Sequence, residues 1–198
     1  MKKFILVLFV VCFSFLFAST ASAVMYVAVK AGYTQADDTD AVLDEEEEGE
    51  VMMIPVDIDF DAGWLGGIAI GMIMDNNFRL EGEFEYRRSD FDIKVDGVAV
   101  EDDTLDTMAF LLNVFYDLKT GAPLTPYIGG GVGLAYHEVD DDDTVLAYHG
   151  TVGVAWAVGP TMDLDLAYRY FATDDPELGS SEVEYDSHNV TAGVRFKF

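Results

Sequence analysis

The chain has 198 residues, 37 Asp/Glu against 11 Lys/Arg for a formal charge of −26, and one cysteine, Cys12. A chain this acidic repels nucleic acid, and a lone cysteine rules out the disulfide framework of small exported domains. Such charge usually accompanies disorder, yet 51% of the residues are apolar, 13% are aromatic and only five are proline, so the charge has to be segregated from the apolar residues.

The N-terminal stretch "MKKFILVLFVVCFSFLFASTASA" carries Lys2 and Lys3, an apolar run from Phe4 to Phe17, and the small-residue exit Ala21-Ser22-Ala23. This is the layout of a secretory signal peptide over residues 1–23, with the mature chain starting at Val24. A lipoprotein signal would place its cysteine later than Cys12 and a small residue where Val11 stands. Cleavage removes two lysines and no acids, leaving nine basic against 37 acidic residues, a formal −28. The mature protein has no cysteine, so its stability must come from packing or from a membrane.

Thirty of the acids fall in four windows, 12 in 34–62, 7 in 90–106, 5 in 138–143 and 6 in 174–186. Between them the sequence alternates with a period of two. In "FRLEGEFEYRR", Phe78, Leu80, Gly82, Phe84 and Tyr86 share one face, opposite Arg79, Glu81, Glu83, Glu85 and Arg87. "MDLDLAYRYF" repeats the pattern with Met162, Leu164, Leu166, Tyr168 and Tyr170 opposite Asp163, Asp165, Ala167, Arg169 and Phe171. A helix repeats every 3.6 residues and cannot produce this. The same count predicts strands at 24–34, 58–74, 78–90, 104–117, 126–138, 144–158, 162–173 and 185–198, and after the signal no helical stretch with caps. The connections "DNN" (75–77), "KTGAPL" (119–124) and "GPT" (159–161) are short and rich in turn residues, whereas the acidic windows form the other connections.

Short turns at one end and longer loops at the other describe an eight-stranded antiparallel up-and-down transmembrane β-barrel in an outer membrane. A soluble, lipocalin-like barrel shows the same alternation with its apolar face inside. Three features favour the membrane. The polar face carries six acids (Glu81, Glu83, Glu85, Asp117, Asp163, Asp165) and six bases (Lys30, Arg79, Arg87, Arg169, Arg195, Lys197). That balance suits an ion-pair network in a lumen that side chains can fill. Aromatics of the apolar face gather near the strand ends, Phe78, Tyr116, Trp156 and Phe198 toward the short turns and Trp64, Tyr86, Tyr136, Tyr148 and Tyr170 toward the acidic loops, as in the two membrane-interface girdles. Each strand is also long enough, since about 9–11 tilted residues cross the hydrocarbon layer.

A closed barrel leaves no unpaired edge in lipid, so the last strand, "NVTAGVRFKF", must pair with the first, "VMYVAVKAGYTQ". A final strand of alternating apolar residues, with Phe196 and terminal Phe198, resembles the signal read by the outer-membrane insertion machinery. Together with "NVFYDL" (113–118), "PYIGGGVGLAY" (126–136), "YHGTVGVAWAV" (148–158) and "LDLAYRYF" (164–171), the mature chain of about 175 residues resembles the small OmpA-like, opacity-type outer-membrane barrels. The resemblance implies residence in the outer membrane of a Gram-negative bacterium, with lipid, lipopolysaccharide and the insertion machinery as partners. No peptidoglycan-binding domain follows the barrel, so cell-wall tethering is not expected.

Chemistry-bearing motifs are few. "DIDFDAG" (57–63) has the aspartate spacing of a calcium loop, but Ala62 replaces the required glycine and Ile68 the closing glutamate. Asp57, Asp59 and Asp61 then mark one face of a strand extending above the membrane. The glycines of "GGGVG" precede no helix and read as strand positions that admit a bulky neighbour. His137 and His149 have inward parity near the external rim, and His188 follows Ser187 at the top of the last strand. With no motif of a barrel hydrolase acting on lipid A or peptides, no catalytic residue, cofactor or defined metal site is expected. The runs "DEEEEGE" (44–50) and "DDDD" (140–143) suit loosely bound Ca²⁺ or Mg²⁺, while the plainer reading is a solvated, self-repelling surface.

The expected function is non-enzymatic: a structural, surface-antigen or adhesive barrel, expected to be a monomer. The alternative is a narrow porin or an OmpW-like transporter of small molecules. Within the closing hairpin, Asp163 is expected level with Lys197 and Asp165 level with Arg195. An arginine at inward Ala167 is expected to be better tolerated than one at outward Leu166, if space permits.

Overall fold

The computed structural model describes residues 23–37, 39–47, 50–95, 98–138, 143–173, 177–178, 181–182 and 185–198. They form β1 (Val24–Ala36), β2 (Thr39–Glu47), β3 (Glu50–Phe60), β4 (Gly63–Ile73), β5 (Phe78–Val95), β6 (Val98–Asp117), β7 (Leu124–Glu138), β8 (Asp143–Ala157), β9 (Met162–Thr173), β10 (Glu177–Leu178), β11 (Ser181–Glu182) and β12 (Tyr185–Lys197). Eight of these pair antiparallel in the order β1-β4-β5-β6-β7-β8-β9-β12 and close back onto β1. The seam between β12 and β1 runs from Tyr26 opposite Lys197 to Ala36 opposite Ser187. Past the ladder, the Phe198 N–H donates to the Met25 carbonyl at 2.9 Å, tying down the chain end.

The alternation is inverted relative to a water-soluble barrel. Ile68, Phe110, Ile128, Val132 and Leu166 are each more than half exposed on the outer wall, while Arg79, Glu83, Glu85, Arg87, Arg169 and Arg195 lie inside and are each under 5% exposed. In water this arrangement would leave a continuous apolar belt unburied, at about 25 cal/mol per Å². In lipid the same belt is the solvent-facing surface. The lipocalin-like alternative is thereby excluded.

The short turns hold tight backbone bonds. Met74 N–H donates to Phe78 O at 2.8 Å and Val158 N–H to Met162 O at 3.1 Å. Asn77 takes φ of 71°, a left-handed value that asparagine adopts more readily than most residues.

At the other end the acidic windows differ from the sequence expectation. Window 34–62 contains β2 and β3, and window 90–106 contains the upper parts of β5 and β6, whose ladder continues to Val95 opposite Val98. Acidity marks exposure to water, and a solvated ladder tolerates it. The strand expected over 58–74 is two strands: β3 ends at Phe60 and pairs with β5 from Asp57 opposite Lys94, while β4 begins at Gly63. Asp61 lies in the break, its N–H donating to Asp90 O at 2.8 Å. The side chains of Asp57 and Asp59 lie outside the described residues, as do those of the runs 44–50 and 140–143.

The register of the closing hairpin also differs. Arg195, not Lys197, stands opposite Asp163, and Gly193 opposite Asp165. The terminus overshoots the turn: Phe196 is already level with Met162, and Lys197 N–H donates to Thr161 O at 2.8 Å. Because the shift is two residues, every side chain keeps its face.

Candidate functional site

The lumen is the site that the fold builds, in three tiers from the short turns upward. In the lowest, Lys197 Nζ donates to Asp163 Oδ1 at 2.7 Å and Arg195 Nη2 to Asp165 Oδ2 at 2.5 Å. These are the partners named from the sequence, reached diagonally across the shifted register rather than straight across. Tyr127 OH donates to the other oxygen of Asp165 at 2.5 Å. The Arg79 guanidinium lies against the edge-to-face pair of Phe115 and Tyr127, 4.2 and 4.7 Å from their centroids, and its Nε donates to Asp117 at 3.3 Å. Those rings fit because the neighbouring strands are bare there. A Cβ on Gly129 would stand 2.4 Å from Phe115 Cδ1, and one on Gly153 2.4 Å from Tyr127 Cζ.

The middle tier is centred on Glu83. Arg169 donates from Nη1 to Glu83 Oε1 and Glu85 Oε2, both at 2.9 Å, and from Nη2 to Glu83 Oε2 at 3.0 Å. Lys30 also pairs with Glu83. Asn113 Nδ2 donates to Glu83 at 2.6 Å and to Glu81 at 3.2 Å, and Tyr26 OH donates to Glu81 at 2.6 Å. With its amide so oriented, Asn113 Oδ1 accepts from His149 Nε2 at 2.8 Å. His149 is therefore not a rim histidine held by loop carboxylates. It is 6% exposed and belongs to the lumen network, its Nδ1 3.0 Å from Thr151.

The upper tier is an apolar plug. Phe171, Leu111 and Val145 pack with four alanines beneath the external rim. The Arg87 guanidinium stacks 3.6 Å from the Phe171 centroid, pairs with Glu85, and donates to Ser187 Oγ at 2.9 Å. All twelve inward charges named from the sequence thus have an opposite charge within 4 Å in the lumen. Sequence reading passed over Tyr26, Asn113, Phe115, Tyr127 and Thr151, although each shares inward parity with a charge it touches or neighbours. Scanning that parity for uncharged polar and aromatic side chains would have found them.

We predict that Asp165→Ala and Arg195→Ala, taken as a double-mutant cycle in urea unfolding of the barrel in lipid vesicles, couple by at least about 1 kcal/mol. A coupling indistinguishable from zero would mean that both side chains are solvated.

On the outer wall the aromatics form two groups. Near the short turns, Phe78 meets Tyr116 with centroids 5.2 Å apart, and Trp156, Phe196 and Phe198 are exposed. Toward the acidic end, Trp64 meets Tyr86 at 5.4 Å, Tyr148 is exposed, and Tyr170 OH donates to Asp186 at 2.7 Å. His188 also faces outward, with Nδ1 2.6 Å from Tyr168 OH and Nε2 3.5 Å from Asp37. Its neighbour Ser187 is fully buried on the inner face, because adjacent strand residues point to opposite sides. The two cannot form a nucleophile–base pair. The side chain of His137 lies outside the described residues. Among the described residues no group of His, Cys, Asp and Glu is arranged to hold a metal ion.

The barrel superposes on neisserial surface protein A, NspA, with a TM-score of 0.60 and 23% identity, over 88% of this chain and 97% of that one. It superposes equally on the outer membrane protein OprG from Pseudomonas aeruginosa, with a TM-score of 0.60 and 14% identity over 87% and 95% of the two chains. At these identities the likeness is one of fold. No curated protein matches the chain in sequence. The family model of the outer membrane protein beta-barrel domain matches residues 5–198. With a closed barrel, an apolar outer wall and a charge-paired interior, this chain belongs to the outer-membrane protein β-barrel family and resides in the outer membrane of a Gram-negative bacterium.

Proposed function

We propose that this protein is a non-conducting, non-enzymatic surface barrel, whose lumen serves as a structural core while its acidic external loops carry a structural, antigenic or adhesive role. The filled lumen is the observation that carries this reading: charge pairs occupy its lower two tiers and Phe171 with Leu111 plugs the third. Twelve charges satisfied by one another leave no row of free groups to guide a solute. Against catalysis stands the separation of Ser187 and His188 on opposite faces, together with the burial of Ser89 at 3% exposure. In planar bilayers the purified protein is expected to give no stable conductance steps, and a reproducible open level would establish the porin or transporter alternative instead.

Several partners follow from this reading. The two aromatic groups would sit at the membrane interfaces, with the acidic end among lipopolysaccharide headgroups, where divalent cations could bridge loop carboxylates to phosphates. Phe196 and Phe198, 47% and 73% exposed, would present the insertion signal. The eight strands close within one chain, which supports a monomer. Residues 1–23 would be removed on export, β1 beginning at Val24. The intact mass of protein purified from the outer membrane reads that cleavage directly.

A further inference from the structure

Between the lower and middle tiers the lumen leaves a chamber of about 40 Å³. Its charged lining consists of Lys30, Arg79, Arg169 and Arg195 against only Glu81 and Asp165. Although the lumen as a whole is neutral, the chamber is not. The carboxylates of Glu83, Glu85, Asp117 and Asp163 hold those four cations yet do not line the space. They stand behind the cations, so the chamber faces four positive groups and two negative ones.

One guanidinium nitrogen there is idle and a second is loosely held. Arg79 Nη2 is buried and has no hydrogen-bond partner among the described residues, while Arg79 itself is 2% exposed. Arg195 Nη1 comes only within 3.7 Å of Asp163, beyond a hydrogen bond. A buried donor left unmade is costly, more so when it is charged. Arg79 packs against the Phe115 and Tyr127 rings and is held through Nε by Asp117, which limits its turning toward another acceptor.

We propose that this chamber binds one small monovalent anion of chloride's size, with Arg79 and Arg195 donating to it and Lys30 and Arg169 supplying the surrounding positive field. Water would satisfy the idle N–H groups, but only an anion also answers the excess of cations over carboxylates at the chamber's face, where interactions are short-range and weakly screened. Size sets the class. A water-sized sphere needs about 10–15 Å³, so the chamber has room for about three water positions, or for one halide with a water beside it. The anion would be a structural ion, bound on folding and stabilising the folded barrel through that binding.

Thermal unfolding of the folded full-length barrel in detergent micelles tests this, comparing sodium chloride with sodium gluconate at equal ionic strength, since gluconate is too large to enter. Chloride is expected to raise the midpoint saturably, by roughly 2–4 °C relative to gluconate, and Arg79→Gln is expected to abolish the difference. Crystals of the unmodified protein grown in sodium bromide should show an anomalous peak within hydrogen-bond reach of Arg79 Nη2, which decides the matter even if the variant fails to fold. Equal midpoints in the two salts, or a bromide map with no peak in the chamber, would overturn the proposal and leave ordered water as the occupant.

Discussion

Replacing Arg169 by methionine is expected to cost the folded barrel about 3–5 kcal/mol, the range found when one partner of a buried pair is removed and the other stays behind. Arg169 gives Glu83 both of its oxygens' partners and also holds Glu85, with side-chain exposures of 4%, 0% and 0%. Without it, Lys30 and Arg87 must satisfy two buried carboxylates, and the lumen holds six acids against five bases. Urea unfolding in lipid vesicles measures the loss. Arg169→Met combined with Glu83→Met should cost less than Arg169→Met alone, since both charges then leave together. The control is Arg88→Met: Arg88 is 48% exposed and lies 3.8 Å from Asp106, so its loss should cost about 0–1 kcal/mol. Equal losses for Arg88 and Arg169 would mean that water reaches the middle tier and that the lumen is an aqueous channel.

Leu166→Arg is expected to impair insertion by about 2–4 kcal/mol, the depth-dependent cost of arginine near the bilayer midplane. Leu166 is 54% exposed at mid-strand of β9. Leu118, exposed just past the end of β6, should accept the same change at about 0–1 kcal/mol, because the cost falls from the midplane toward the strand ends. Refolding yields into vesicles give the comparison, and yields that do not depend on depth would place the apolar wall in water. Ala167→Arg is not the permissive control that its inward parity suggests. Ala167 packs against Phe115 and Tyr127 and is 7% exposed, so an arginine would overfill that tier and add a seventh base.

Much of this protein was legible in its residues, because a period of two is a local property. Every barrel strand could be located from alternation, and parity alone put all twelve lumen charges on one face and Trp64, Tyr116, Tyr148 and Trp156 on the other. Composition fared less well once it was taken as a sign of conformation. The acids of 34–62 and 90–106 looked like loops, yet β2, β3 and the upper ends of β5 and β6 are paired strands, since a ladder in water needs only backbone partners.

What required the tertiary structure was everything that crosses the lumen. β9 lies four strands around the wall from β5, so the bond from Arg169 to Glu83, 86 residues apart in sequence, depends on barrel closure and on the stagger of every intervening pair. No local pattern encodes that sum. The same dependence moved the β9–β12 register by two residues and carried His149 from the expected rim to Asn113. It also set Arg79 against two aromatic rings with one nitrogen idle. Alternation decides which face a side chain takes, because that choice is made residue by residue. Closure decides whom it meets there, because partners across a barrel are neighbours only after all eight strands have been placed.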